Sequence, residues 1–480
     1  MNETIATLFI NGEWRRTDRV FMVDDPATSE PFAAASDAAS DDVRAAIAAA
    51  YDAFPEWSQT TPQKRADILL EIARRMRANK ETLATILTRE NGKPLAESRA
   101  EIDFGIGFFI WFAEEAKRAR GEIVPSNAPG KRRLVIRQPL GVIAAITPWN
   151  LPVAILARKV APILAAGCTA VVKPAEQTPC TAIEMFKIFA AAGLPAGVAN
   201  LITVADPSPV GKEFVANSRV AKITFTGSTA VGRELAAGAG RQLKRVSLEL
   251  GGHAPFIVFA DADVDHAVRQ LVVSKFRNSG QTCLCANRIF VHEEILDSFC
   301  RKLVAAVQDL RVGGGLSPET DIGPMIDRDG FDKVRRHVED AIQAGAECLA
   351  GGRPVEVPGW ERGLFYAPTV LKCATEDLVV CREETFGPVA PILGFTEEEA
   401  VVRAANDSVY GLSGYVFTRD LGRAVRVAEA LECGVIGVND GLTPVPECPF
   451  GGFKQSGIGR EGGWQGLDEC LETKYITVAY

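Results

Sequence analysis

Asn278-Ser279-Gly280-Gln281-Thr282-Cys283-Leu284-Cys285 sets a thiol in a glycine-bearing turn just after the apolar segment Leu271 to Phe276. The glycine and its small neighbours leave room beside Cys283 for a small electrophile, which makes it a candidate nucleophile. The plain alternative is a buried packing cysteine. Partners for the thiol decide between the two. Asn150 closes Thr147-Pro148-Trp149-Asn150; its amide donates two hydrogen bonds without carrying charge, as an oxyanion forming on a carbonyl requires. It could equally cap the helix that follows. Leu248-Glu249-Leu250-Gly251-Gly252 sets a single carboxylate in apolar company, where partial burial would raise its pKa toward that of a general base. Solvated on a surface, Glu249 would do no chemistry.

Two further stretches suit a nucleotide. Phe225-Thr226-Gly227-Ser228-Thr229-Ala230-Val231-Gly232 runs from an apolar strand into a helix, so a phosphate could approach Gly227 and Ser228 at the free amides of the helix start. The GxGxxG fingerprint is absent, and a plain Gly-Ser turn fits the residues as well. Val171-Val172-Lys173-Pro174-Ala175-Glu176 ends a strand; Lys173 and Glu176 could bind ribose hydroxyls, or form a solvated charge pair. A carboxylate there would repel a 2′-phosphate, favouring NAD over NADP.

These pieces need elements to hold them. The 480 residues, 47% of them hydrophobic, are enough for two or three domains with sizeable cores. Net charge is −8, and the basic residues are scattered, which argues against a nucleic-acid or anionic-membrane partner and for a small molecule. Eleven well-separated cysteines suggest reduced thiols in a cytoplasm. The four histidines do not stand at metal-ligand spacing, so no metal site is expected. Neither a signal peptide nor an apolar run long enough to span a bilayer is apparent.

Alternation around Asn11-Gly12 predicts a hairpin. Helical spacing runs from Asp41 to Ala78, then Glu81 to Glu90, then Leu95 to about Arg120. An alternating strand at Arg132 to Arg137 leads into the continuous apolar run Gly141 to Ile146, of the kind found inside parallel sheets. Helix (152–166), strand (169–172), helix (182–191), strand (198–203), helix (210–216) and strand (222–225) follow, an alternation that predicts an α/β fold with a doubly wound parallel sheet. A second α/β stretch begins at Pro255-Phe256-Ile257-Val258 and continues to about residue 445. The final Lys474 to Tyr480 is β-prone and needs a sheet edge, conceivably on another subunit.

Taken together, Thr147-Pro148-Trp149-Asn150, Phe225-Thr226-Gly227-Ser228, Leu248-Glu249-Leu250-Gly251-Gly252, Gly280-Gln281-Thr282-Cys283, Glu384-Thr385-Phe386-Gly387-Pro388 and Pro449-Phe450-Gly451-Gly452 come in the order found in NAD(P)-dependent aldehyde dehydrogenases. The chain resembles that family over nearly its whole length. The resemblance implies two Rossmann-like domains and a small β oligomerisation element: a cofactor domain (1–118 and 140–251), a catalytic domain (252–455), and the element itself (119–139 and 456–480), giving a homodimer or homotetramer. It further implies Cys283 as nucleophile, Asn150 with the Cys283 amide as oxyanion donors, and Glu249 as the base that activates water. Glu384 would hold the nicotinamide ribose beside Phe386, Lys173 and Glu176 the adenosine ribose, Ser228 the pyrophosphate, and Trp149 would pack at the cleft.

Arg158 and Arg277 lie close in sequence to Asn150 and Cys283, and guanidinium is the natural clamp for a carboxylate. Ala157-Arg158-Lys159 and Phe276-Arg277-Asn278 resemble the succinate-semialdehyde group; salt-bridged or solvated arginines are the alternative. Where that group places a serine, this chain reads Gly441-Leu442-Thr443-Pro444. Proline offers no donor, so Thr443 would substitute, or the pocket would suit glutarate or 2-oxoglutarate semialdehyde. Cys285, two residues past Cys283, is either an inert neighbour or the resolving thiol of an oxidation-sensitive pair. Two competing readings are a dehydrogenase of neutral aldehydes and a thiol esterase or non-catalytic binding protein on the same fold.

Overall fold

The computed structural model of the chain describes residues 4–480. Its centre is an eight-stranded sheet ordered Gly457–Ile458, Arg245–Glu249, Val220–Thr226, Val142–Ile146, Thr169–Lys173, Ala199–Leu201, Leu8–Ile10, Glu13–Arg15. The five strands from Arg245–Glu249 to Ala199–Leu201 are parallel. Their near-continuous apolar side chains are buried on both faces, as a sheet covered by helices on two sides demands. On one side lie the helices Pro62–Ala78, Leu95–Glu115, Pro152–Ala166 and Pro179–Ala191; on the other, Ser40–Ser58, Ser208–Ala216 and Thr229–Arg241.

From Val142–Ile146 the chain winds outward through Thr169–Lys173 and Ala199–Leu201, then crosses back to place Val220–Thr226 on the opposite flank. The order therefore reverses between Val142–Ile146 and Val220–Thr226, and a crevice opens beyond the carboxyl ends of strands at such a point. Thr147 to Asn150 and Gly227 to Ser228 leave the sheet there. A second, seven-stranded sheet, ordered Glu347–Ala350, Thr369–Lys372, Val389–Phe395, Ala286–His292, Ala254–Val258, Ser413–Phe417, Val435–Val438, is parallel except for its first strand. It has apolar clusters on its two faces.

The predicted hairpin forms, with Asn11 and Gly12 both at positive φ between Leu8–Ile10 and Glu13–Arg15. The long helical stretch from Asp41 divides into Ser40–Ser58 and Pro62–Ala78, because Pro62 takes the first helical position behind a Thr61 cap. The strand expected near Arg132 to Arg137 forms as Lys131–Pro139, the middle of a separate three-stranded sheet. The carboxyl-terminal strand Leu471–Ala479 finds its edge in its own chain, pairing antiparallel with Lys131–Pro139 along nine positions. Its other edge has no strand beside it among the described residues, and Tyr475 and Tyr480 stand exposed.

Candidate active site

Cys283 lies between the helix Val264–Phe276 and the strand Ala286–His292, past a run of left-handed residues, Asn278 (φ 50°), Ser279 (φ 55°) and Gly280 (φ 72°). Only glycine fits the last of these, since a Cβ on Gly280 would stand 2.1 Å from the Gly387 carbonyl oxygen. The tight turn brings the nucleophile loop against the first sheet: a Cβ on Gly252 would meet the Cys283 carbonyl at 2.2 Å. The Leu284 carbonyl accepts from the Tyr415 hydroxyl at 2.8 Å.

Cys283, Trp149, Asn150, Gly227, Ser228, Glu384 and Phe386 line one cavity of about 570 Å³. An adjoining cavity of about 780 Å³ shares Trp149, Gly227 and Ser228 with it and ends at Lys173 and Glu176. The two form a long cleft over the point where strand order reverses. Ser228 caps the helix Thr229–Arg241 by accepting from the Val231 amide, so the remaining first-turn amides and the positive dipole end face the cleft. Gly227 admits no side chain, because a Cβ would lie 2.4 Å from the Phe225 ring. Lys173 Nζ donates to Glu176 Oε2 at 2.9 Å. At the other end, Glu384 Oε1 accepts from the Gly252 amide at 2.9 Å, burial lifts its pKa to about 7, and Phe386 holds a left-handed φ of 57°, a strained conformation for an aromatic residue. The Phe386 ring meets the Trp149 ring edge-on at 5.4 Å. Backbone amides in the middle, a Lys-Glu pair at one end and a carboxylate beside a flat ring at the other fit an extended dinucleotide.

The Asn150 side chain is oriented by its donation to the Gln281 carbonyl, 3.0 Å away in the nucleophile loop. Burial pushes the Cys283 thiol up to about 12, with Arg158 opposing and the carboxylates of Glu384 and Glu249 reinforcing the rise. The thiol of the free protein is therefore protonated at neutral pH and needs a base. Glu249 is almost wholly buried, and neither of its oxygens accepts a hydrogen bond. Burial raises its pKa well above the usual carboxylate range, Glu461 adds to the rise, and Arg158 and Lys159 oppose it. Glu249 sits behind the cleft wall instead of lining the cavity, with Oε1 2.9 Å from where a Cβ of Gly451 would stand.

Arg158 and Thr443 meet in a small cavity of about 30 Å³ with Phe450. The Arg158 guanidinium lies 4.1 Å above the Phe450 ring, and its Nε is 2.7 Å from Glu461 Oε2. Thr443 Oγ1 is buried without a partner. Arg277 does not line this cavity; its charge is felt by the buried Glu97 and by Tyr415. Cys285 is fully buried, and its Sγ donates to the Lys275 carbonyl at 3.3 Å.

Sequence reasoning missed Glu461, which holds Arg158 through Oε2 and, through Oε1, Lys159 at 2.5 Å and the Thr224 hydroxyl at 3.1 Å. These cations keep it well below the usual carboxylate range despite its burial. The available signal was its setting in Gly459-Arg460-Glu461-Gly462-Gly463, a lone carboxylate among glycines like Glu249. No group of metal-ligating side chains occurs among the described residues.

The model of the aldehyde dehydrogenase family matches residues 14–476. The chain is 46% identical to the glutarate-semialdehyde dehydrogenase of Pseudomonas putida, over 98% of this chain and 97% of that protein. It is 45% identical to the NADP(+) succinate-semialdehyde dehydrogenase GabD of Escherichia coli, with coverage of 98% and 97%. The crystal structure of the succinate-semialdehyde dehydrogenase from Burkholderia pseudomallei superposes with a TM-score of 0.96 at 47% identity, covering 99% of this chain and 98% of that one. Likeness of this depth in both sequence and backbone, along nearly the full length, makes the chain a member of the aldehyde dehydrogenase family.

Proposed function

We propose that this chain oxidises an aldehyde bearing an acid group at its far end, an ω-carboxy semialdehyde such as succinate or glutarate semialdehyde, to the dicarboxylic acid, using NAD or NADP. Cys283 gives its thiol proton to water in the open cleft and, as the thiolate, attacks the aldehyde carbon. The Asn150 amide and the Cys283 backbone N–H hold the oxyanion of the thiohemiacetal, in a site already shaped for it. The nicotinamide, when bound, supplies the hydride acceptor. Glu249 then takes a proton from the water that hydrolyses the Cys283 thioester; its raised pKa and unshared oxygens suit that task. Lys173, Glu176, Ser228, Gly227, Trp149, Glu384 and Phe386 hold the dinucleotide along the cleft. Glu176 disfavours a 2′-phosphate, so NAD is the better acceptor.

The observation that carries the acid preference is Arg158: a buried guanidinium over Phe450, ion-paired through Nε with Glu461 and sharing a small cavity with the unpartnered Thr443 hydroxyl. The semialdehydes in the names of the Pseudomonas and Escherichia relatives support it. Arg277, although outside that cavity, is proposed to help bind the acid group. The test compares kcat/KM for succinate, glutarate and 2-oxoglutarate semialdehydes with neutral aldehydes of equal length, by absorbance at 340 nm. Arg158→Ala is expected to cut the acid-to-neutral ratio by about tenfold or more, the worth of a lost charge-assisted contact. If Arg158→Ala and Arg277→Ala both keep the parental ratio, the clamp is wrong.

The cofactor domain (1–118 and 140–251), catalytic domain (252–455) and oligomerisation element (119–139 and 456–480) remain the proposed division, with one correction: Gly457–Ile458 pairs with Arg245–Glu249 and belongs to the central sheet. The free edge of Leu471–Ala479 supports a homodimer or homotetramer. A cytoplasmic location is proposed; no helix of the described residues is long and apolar enough to cross a membrane. Cys285 is read as an inert neighbour of Cys283, because its thiol is turned into the protein toward Lys275.

A further inference from the structure

Asn150 is held from beneath by a buried ion pair that the mechanism above does not use. Lys93 follows the helix Lys80–Asn91 by one left-handed residue, Gly92 (φ 89°), which turns the chain under the Trp149-Asn150 corner. The Lys93 side chain is 1% exposed and its partner Glu101, on the helix Leu95–Glu115, 2%. Lys93 Nζ donates both to Glu101 Oε2 and, at 2.7 Å, to the main-chain carbonyl of Asn150. Glu101 Oε1 accepts from the Val153 and Ala154 amides at 2.8 and 3.2 Å, tying the pair to the first turn of the helix Pro152–Ala166. Asn278 Nδ2, from the nucleophile loop, gives the same Asn150 carbonyl a second donor at 3.0 Å. Asn91 Nδ2 donates to the Trp149 carbonyl at 3.0 Å.

A carbonyl oxygen has two lone-pair directions, and here each meets a donor from a different part of the chain. That fixes the plane of the peptide following Asn150 and, with the Gln281 contact, the direction of the Asn150 amide. Burying an ion pair costs more than an apolar contact of equal volume unless further hydrogen bonds satisfy it. The bonds that satisfy this one run to the residue that must meet the oxyanion and to the helix beginning just after it. We propose that Lys93, anchored by Glu101, is a positioning residue for the reaction: it acts through the Asn150 carbonyl to hold the Asn150 amide where the oxyanion forms. Resting on the aldehyde-oxidation reading, this places the tether's contribution in kcat and leaves substrate affinity nearly untouched.

The test is a double-mutant cycle between the tether and Asn150. Lys93→Met with Glu101→Gln removes both charges, while the new glutamine keeps an acceptor for the Val153 and Ala154 amides. In the parent background kcat for succinate semialdehyde is expected to fall about 10- to 100-fold, the range for a misplaced oxyanion donor, with KM within about twofold. In an Asn150→Ala background the same pair of changes is expected to have an effect within about twofold, since the group it positions is gone. Equal losses in the two backgrounds, or a loss confined to KM, overturn the proposal. Nitrophenol release from p-nitrophenyl acetate without dinucleotide gives a second reading, because acylation of Cys283 by an ester forms the same kind of oxyanion. If no aldehyde is oxidised but the cycle holds for the ester, the dehydrogenase reading fails and the tether stands. Should the double variant not fold, Lys93→Arg is measured instead: a kcat at least about threefold below the parent with an unchanged Tm is expected, since the longer planar group cannot reach both partners equally. Parental kcat in Lys93→Arg refutes the tether.

Discussion

The corner after Val142–Ile146 and the corner that ends Arg245–Glu249 belong to the same sheet, yet they treat their polar groups in opposite ways. At the first, the Trp149 and Asn150 carbonyls are fully engaged by Asn91, Lys93 and Asn278, and the Asn150 amide is aimed by Gln281. At the second, Glu249 is at least as buried, but its carboxylate receives no hydrogen bond. The difference follows from what each group must do. A donor that stabilises developing charge contributes most when no reorganisation remains to be done. A base must keep its lone pairs free for a proton, and burial without partners is what raises its pKa.

The largest expected effect comes from breaking the rigid corner. Asn150→Ala is expected to lower kcat by about 100- to 1,000-fold, as for loss of one oxyanion donor, with KM nearly unchanged; an effect mainly on KM would remove Asn150 from the chemistry. Next, Glu249→Gln disables the open corner. Steady-state kcat is expected to fall about 100-fold, while a first turnover of NADH per site remains visible by stopped flow, because thioester formation precedes hydrolysis. The absence of that burst would place Glu249 before hydride transfer. The subtlest change is Glu461→Gln. Glu461 raises the pKa of Glu249, whereas Arg158 and Lys159 lower it, so removing the Glu461 charge leaves the two cations unopposed and Glu249 deprotonates more readily. The acidic limb of the kcat profile, which reports the hydrolysis step, is expected to move to lower pH. A limb that stays in place or moves upward contradicts this electrostatic account.

Much of this contrast was legible in the sequence because each half carries local grammar. The apolar run before Thr147 and the Leu-Glu-Leu-Gly-Gly stretch announce buried strand ends, and the helix 152–166 was bounded by Pro152 and Gly167. Glycine spacing marked the nucleophile turn for a reason now visible, the approach of the Gly387 carbonyl to Gly280. What holds the corners was not legible. Lys93 and Asn150 are 57 positions apart, and Lys159 and Glu461 are 302 apart; no periodicity connects such pairs. Lys131–Pro139 shows the same limit of local pattern. Its alternation declares a strand, but its partner lies at the far end of the chain, and pairing over that separation leaves no local trace.

That same partnership orders events during synthesis. Lys131–Pro139 is flanked early by Glu122–Val124, but its other side stays bare until Leu471–Ala479, much later in the chain, has been made. Glu461 arrives just as late, so until then Arg158 and Lys159, on a helix wholly buried in the finished fold, lack their carboxylate. The chain's stitching and its charge neutralisation thus both wait for segments made late in synthesis.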